Sequence, residues 1–468
     1  MSATLDPGHP TGSIQALEPS LTEHIADFLT ETRPSDLPVE TIEEAKYFLL
    51  DWLSSAIAGT ATRAGAILLA HAAEESGRHS TVIGLSGKKS PRTAAFTNGA
   101  LGHITETDDV HRAAVLHPAV VAIPPALAVA ERLAARGIDL LTAVVLGYEV
   151  AIRVGEAVGT SHYRYWHNTS TCGTFGATAA AGWLLGLSRQ QMVWALGNAG
   201  SLSSGLWEFN EDGSMAKHLH AGHAASSGVL VAELAARDFT GTRRILEGRR
   251  GLFAATSADA RPDLVTAGLH RGMQRYKISE CVIKPYPSCR HTHAPVDLAL
   301  DLHRSEDLHP AEISSIEVDS YQATLDLTDN PNPSHEYAAK FSVQYCVAAA
   351  LALGRLSLQD FGHGRLWDPT IRRLMSLTRV RVDPAIQARY PAEWCCRLTV
   401  TTSTGKSYQR FTSAPRGDPE NRLSLEDLQE KFRSLLKGTR FEGRSEELIQ
   451  RVAHLDSLED ARLLLSEP

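Results

Sequence analysis

The stretch "GTFGATAAAGWLLGLS", residues 173–188, has no charged side chain and is almost entirely small or apolar. A helix that is apolar all round belongs in the centre of a bundle, where its glycines and alanines let neighbours approach closely. The flanking sequence agrees. "DLLTAVVLGYEVAIRVGEAVG" (139–159) and "HAASSGVLVAELAARDFTG" (223–241) repeat apolar residues at helical spacing. Upstream, "TIEEAKYFLLDWLSSAIAG" (41–59) places Ala45, Phe48, Leu49, Trp52 and Leu53 on one stripe and stops at Gly59; "PALAVAERLAARG" (125–137) behaves alike. From about Ser20 to Gly251 the pattern predicts helix after helix.

Near residue 275 the period changes. "ISSIEVDSYQ" (313–322) and "LTRVRVDP" (377–384) alternate with period two and are rich in β-branched residues, as strands are. "CRLTVTTSTGKSYQRFT" (396–412) predicts a hairpin turning at Thr404-Gly405. One helix, "EYAAKFSVQYCVAAALALG" (336–354), is predicted between these strands. "SLEDLQEKFRSLLKG" (424–438) returns to helix, with Ser424 and Asp427 as a cap. The expected class is mainly α. A large all-helical domain spans 20–274 and 413–468, a smaller α+β domain is inserted over 275–412, and residues 1–19 form an N-terminal arm.

Composition narrows the function. With 43% hydrophobic and 21% charged residues the chain is an ordinary globular protein. A net charge of −8 argues against nucleic acid as a partner. No apolar run is long enough for a bilayer, and the N-terminus lacks the basic and apolar regions of a secretory signal. The six cysteines show no C-x-x-C spacing, against zinc-ribbon or iron–sulfur readings and in keeping with a cytoplasmic location. The 20 histidines are a hint of acid–base chemistry.

The ionisable residues gather in four segments. "GHITETDDVHRAAVLHPAVVAIPPA" (102–126) sets Glu106, Asp108 and Asp109 ahead of His111, Arg112 and His117, then an apolar run broken by Pro124 and Pro125. "HYRYWHNTSTCGTFG" (162–176) carries His167. "NEDGSMAKHLHAGHAA" (210–225) carries Lys217, His218, His220 and His223. "IKPYPSCRHTHAPVD" (283–297) carries Lys284, Arg290 and His293. The first, second and fourth lead into helix starts, where free N–H groups and the dipole favour anions. Such a set suits a small polycarboxylate. Each residue also has a plainer reading. Asp108 and Asp109 could cap the following helix. His218 and His220, two apart, cannot share a helix face, so at least one should meet solvent. A metal site is disfavoured because H-E-x-x-H is absent; phosphate-loop, dinucleotide and serine-hydrolase motifs are absent too.

These segments, in order, together with "AAKFSVQYCVAAAL", resemble the MmgE/PrpD family, which includes 2-methylcitrate dehydratases, cis-aconitate decarboxylases and an iminodisuccinate epimerase. The resemblance implies an all-helical domain built from both chain ends with the inserted unit as a lid, a homodimer, and no metal or organic cofactor. Residue by residue it points to Glu106, where the family commonly has aspartate, to Asp108 and Asp109, to His117, His167 and Lys217, and to Lys284, His293 and Tyr345.

The implied chemistry is formation or protonation of a carbanion beside a carboxylate. His117 and His167 are expected to move the proton, with Lys217, Lys284 and Arg290 holding carboxylates and developing charge. Tyr345 would orient or protonate the product, and Glu106 or Asp108 would fix a histidine tautomer. The leading expectation is a decarboxylating or dehydrating lyase. An epimerase is the second reading and a non-catalytic helical binding protein the third.

Overall fold

The computed structural model describes residues 18–466 except 307, so most of the expected arm over 1–19 lies outside the described residues. The protein is mainly α-helical. The Gly173–Leu184 helix is central, buried from Gly173 to Gly182 and packed against the helices Gly137–Ala157, Ala216–Ala235 and Ala119–Leu133. Close approach needs glycine here: a Cβ on Gly228 would lie 2.4 Å from that of Ala177.

The Ala119–Leu133 helix continues through Pro124 and Pro125, the prolines that break the apolar run in the sequence. Proline removes the donors that would reach the carbonyls of Val120 and Val121, but burial of the whole apolar run holds the helix together.

The C-terminal helices Leu425–Leu436 and Ser445–Ala453 pack on Val39–Thr60, so Leu428, Phe432 and Ile449 share one hydrophobic core with Trp52 and Phe175. A second core runs in sequence from Tyr286 to Tyr408. Its four-stranded sheet has the order Thr378–Val382, Ile313–Ser320, Cys396–Thr402, Ser407–Thr412, with the first pair parallel and the others antiparallel. Cys396, Leu398 and Val400 alternate inward, and the helices His293–Ser305, Val343–Leu353 and Pro369–Leu377 cover that side.

Two local features position the site. Val110–His111 pairs antiparallel with Cys281–Val282, which brings the first and fourth polar segments together. The expected single helix over 336–354 is two, Glu336–Lys340 and Val343–Leu353, because Ser342 leaves helical geometry and its hydroxyl caps the Tyr345 N–H. Among the described residues no single helix is long and apolar enough to cross a membrane.

Candidate active site

Residues Gly102 to His111 are all buried, although seven of the ten are polar or charged. Such a loop stays inside only if its groups find partners. Lys340 Nζ donates to the Thr105 carbonyl at 2.7 Å, and Lys431 Nζ to the Thr107 carbonyl at 2.7 Å and to Asp51. Thr107 donates to the Ser55 hydroxyl at 2.8 Å. Clamped on both sides, Glu106 sits at φ +60, a conformation that costs a non-glycine residue about 1–3 kcal/mol unless its surroundings impose it.

Glu106 organises one half of the cluster. Its carboxylate accepts from Lys217 Nζ, from Lys284 Nζ at 3.3 Å and from the Tyr337 hydroxyl at 3.3 Å. Burial alone would raise its pKa, but the two ammonium groups outweigh it and hold the carboxyl well below the usual range. All three partners come from far along the chain, and both lysines are buried.

Asp108 organises the other half. Its Oδ2 lies 2.7 Å from His103 Nδ1 and 3.1 Å from His117 Nδ1. His117 Nδ1 is also 2.6 Å from the Asp109 carbonyl, an acceptor only, so Nδ1 carries the proton and Nε2 the lone pair. The same logic applies to His103 against an ionised Asp108. That carboxyl is raised by burial, yet the two imidazoles bring it well below its usual value. Burial pushes His103 down to about 4 against the pull of Asp108, and His117 down as well. His103 Nε2 and Asp108 Oδ1 are buried without a hydrogen-bond partner among the described residues. The nitrogens nearest Asp108 are therefore N–H donors, and His103, Asp108 and His117 form one hydrogen-bonded relay.

His167 joins this half. Its ring stacks on His103 at 5.7 Å and is boxed by Trp207 at 5.1 Å and Phe209 at 5.8 Å. Burial, then the neighbouring His103 and Lys217, hold its pKa well below the ordinary value. Its Nδ1 meets His220 Nδ1 at 3.3 Å. Neither His218 nor His220 is exposed as the spacing predicted; Leu219 between them is, at 52%.

The structure thus brings Glu106, Asp108, His117, His167, Lys217 and Lys284 together. It corrects four other expectations. The Asp109 carboxylate turns away, accepting from the Ala119 N–H at 3.0 Å and the Tyr148 hydroxyl at 2.8 Å; it caps the helix, and burial raises its pKa. Arg290 pairs with Asp418 and donates to His293 Nδ1 at 2.8 Å, while His293 Nε2 faces the Ser288 carbonyl at 3.3 Å. Arg290 ties this segment to residues 415–418, and His293 is held between Arg290 and the Ser288 carbonyl, so both side chains are engaged away from Glu106 and Asp108. Tyr345 lies in the second core with its hydroxyl on the Asp360 carbonyl. The helix break at Phe341–Ser342 explains this: it turns Tyr345 inward and leaves Tyr337 to reach Glu106.

His103, Tyr337 and Lys340 are the residues that the sequence reading missed. His103 had a signal, a histidine five places before Asp108. The other two were hidden in what reads as an ordinary helix. A cavity of about 460 Å³ adjoins the cluster, with Ile104, His218, Tyr337 and Lys340 in its wall. His117, His167, Lys217 and Lys284, expected to serve one small polycarboxylate, thus meet in a tight cluster with a cavity beside it.

Imidazoles turned by one carboxylate lie beside paired lysines inside a mainly helical body, a set of groups equipped for acid–base chemistry. The MmgE/PrpD N-terminal domain model matches residues 23–265 and the MmgE/PrpD C-terminal domain model matches 286–457, and the chain belongs to this family. It is similar to the cis-aconitate decarboxylase of Aspergillus terreus, 29% identical over 476 residues and 95% of each chain. It is also similar to that of Homo sapiens, 27% identical over 466 residues, covering 95% of this chain and 94% of the relative. A 2-methylcitrate dehydratase of Cupriavidus necator is 27% identical over 301 residues, 61% of this chain and 60% of the relative. Decarboxylases and dehydratases of this kind are lyases, and the chain is an enzyme of that class.

Proposed function

We propose that this protein is a lyase for a small tricarboxylate, of the cis-aconitate decarboxylase kind, that works through its own side chains. The observation that carries the reading is the Asp108 relay: one carboxylate oxygen faces Nδ1 of the buried His103 and the half-buried His117 and leaves Nε2 of each as the lone pair, while Lys217 and Lys284 pair with Glu106 of the same loop. The decarboxylases match over nearly the whole chain, the dehydratase over 61% of it, which favours decarboxylation.

Breaking the bond to the departing carboxylate releases CO₂ and leaves an electron pair. The adjoining unsaturated acid draws it in as an enolate-like anion, and the two ammonium groups, held in place by Glu106, stabilise that charge in a water-poor site. Protonation at carbon completes the reaction. A trianion and one proton become a dianion and CO₂, so each turnover consumes one proton. The histidines are neutral in the free site because burial lowers their pKa values. An anion docked beside them reverses that effect, and an imidazole charged in this way is the acid that delivers the proton.

Proton NMR in D₂O of citrate, 2-methylcitrate, cis-aconitate and iminodisuccinate, each with the enzyme, tests this. Loss of CO₂ from cis-aconitate with one deuterium incorporated is the expected result. Water loss would move the assignment to a dehydratase, exchange without loss of either to an epimerase, and no turnover of any of the four overturns the reading.

A further inference from the structure

The cavity beside the cluster has features that proton transfer does not use. One wall is the first turn of the Arg63–Glu74 helix, twelve residues long, where Thr62 Oγ1 caps the Gly65 N–H at 3.0 Å. The N–H groups of Arg63 and Ala64 have no acceptor within that helix, and its positive end faces the cavity. The Arg63 side chain is exposed and makes no ion pair among the described residues. Opposite are Lys340, buried and bonded through Nζ to the Thr105 carbonyl, and His218, whose Nδ1 is buried with no partner among the described residues although the residue is only 5% exposed. Glu336 is the one carboxylate among the described residues of the wall, and its charge acts on Lys340. Tyr337 joins the two regions: it lines the cavity and its hydroxyl donates to Glu106.

We propose that this cavity is a second carboxylate subsite, in which the Arg63–Ala64 helix end, the Arg63 guanidinium, His218 and Lys340 hold the substrate carboxylate farthest from the reacting carbon. The inference rests on reading the protein as a polycarboxylate lyase. It explains how a site whose two deepest lysines already share Glu106 takes a trianion. The remote carboxylate is neutralised outside the cluster by groups that form no ion pair among the described residues, and recognition of three carboxylates rather than two is decided there. Backbone N–H groups and a guanidinium form short, charge-assisted hydrogen bonds to a carboxylate, so the subsite contributes to selectivity as well as to attraction.

The test compares competitive inhibition by propane-1,2,3-tricarboxylate and by succinate, in wild type, Arg63→Ala and Lys340→Gln, alongside turnover of cis-aconitate. In wild type the tricarboxylate should bind more tightly than succinate by at least about tenfold, the scale of one charge-assisted contact. Both variants should collapse that ratio toward one, chiefly by weakening the tricarboxylate. Arg63 is exposed and removed from the Thr105 loop, so Arg63→Ala keeps the test valid if Lys340→Gln disturbs folding. A wild-type ratio near one, or a ratio unchanged in Arg63→Ala while cis-aconitate is still turned over, overturns the subsite alone. Wild-type enzyme that turns over no tricarboxylate and binds neither inhibitor overturns both this inference and the activity on which it rests.

Discussion

Replacing Asp108 by asparagine keeps the shape of the side chain and removes its charge. In the native site Oδ2 accepts from His103 Nδ1 at 2.7 Å and lies 3.1 Å from His117 Nδ1. If the amide oxygen takes that place, both bonds lose their charge assistance and the imidazolium formed on substrate binding loses its counter-ion. If the NH₂ takes it, two donors face donors, and His103 is driven to the opposite tautomer with its Nε2 lone pair gone. A hydrogen bond to a charged group is worth about 1.5–3 kcal/mol. Two of them bound the loss of transition-state stabilisation at about 3–6 kcal/mol, on the order of 10²–10⁴-fold in turnover. The assay is CO₂ release from cis-aconitate, with nitrogen NMR of the histidine rings to read the tautomers and thermal melting to show that the fold persists. Turnover within about threefold of wild type in a folded Asp108→Asn protein would refute the reasoning.

Further outcomes follow from other contacts. Tyr337→Phe should lower turnover because it removes a donor to Glu106, whereas Tyr345→Phe should leave kinetics intact and cost about 1 kcal/mol of stability from the lost bond to the Asp360 carbonyl; steady-state rates and melting of the pair separate the two. Lys217→Ala strips a buried counter-ion from Glu106 and should reduce turnover several hundred-fold, about 3–4 kcal/mol, a loss that near wild-type rates would contradict. His103 titrates near 4 folded and near 6.5 unfolded, so the unfolded chain binds more protons between these values. Its contribution to stability is present above about pH 6.5 and is lost as pH falls toward 4, about 3 kcal/mol at full protonation, and urea midpoints compared at neutral and acid pH should fall accordingly. Arg290→Lys should lower the melting temperature, because a single ammonium cannot serve His293, Asp418 and the Arg416 carbonyl at once.

Much of this protein is written in local sequence. The all-apolar run at 173–188 was enough to predict a central helix, and period-two alternation over 313–322 and 396–412 predicted strands and a hairpin that occur where expected. Period and composition report how one segment meets its surroundings on average, and a backbone of 3.6 or 2 residues per repeat translates directly into buried faces. They do not report which partner a side chain finds. Glu106 and Lys217 are 111 residues apart, and Arg290 and Asp418 are 128 apart. Only the folded chain decided that Lys284 meets Glu106 while Arg290 locks onto a distant segment and holds His293, that Asp108 faces the imidazoles while its neighbour Asp109 turns to a helix end, and that a break at Ser342 brings Tyr337 instead of Tyr345 to the site. The residue types of an acid–base centre were legible in the sequence. Its membership was set by hydrogen bonds and ion pairs between segments brought together by packing, and no local period encodes those.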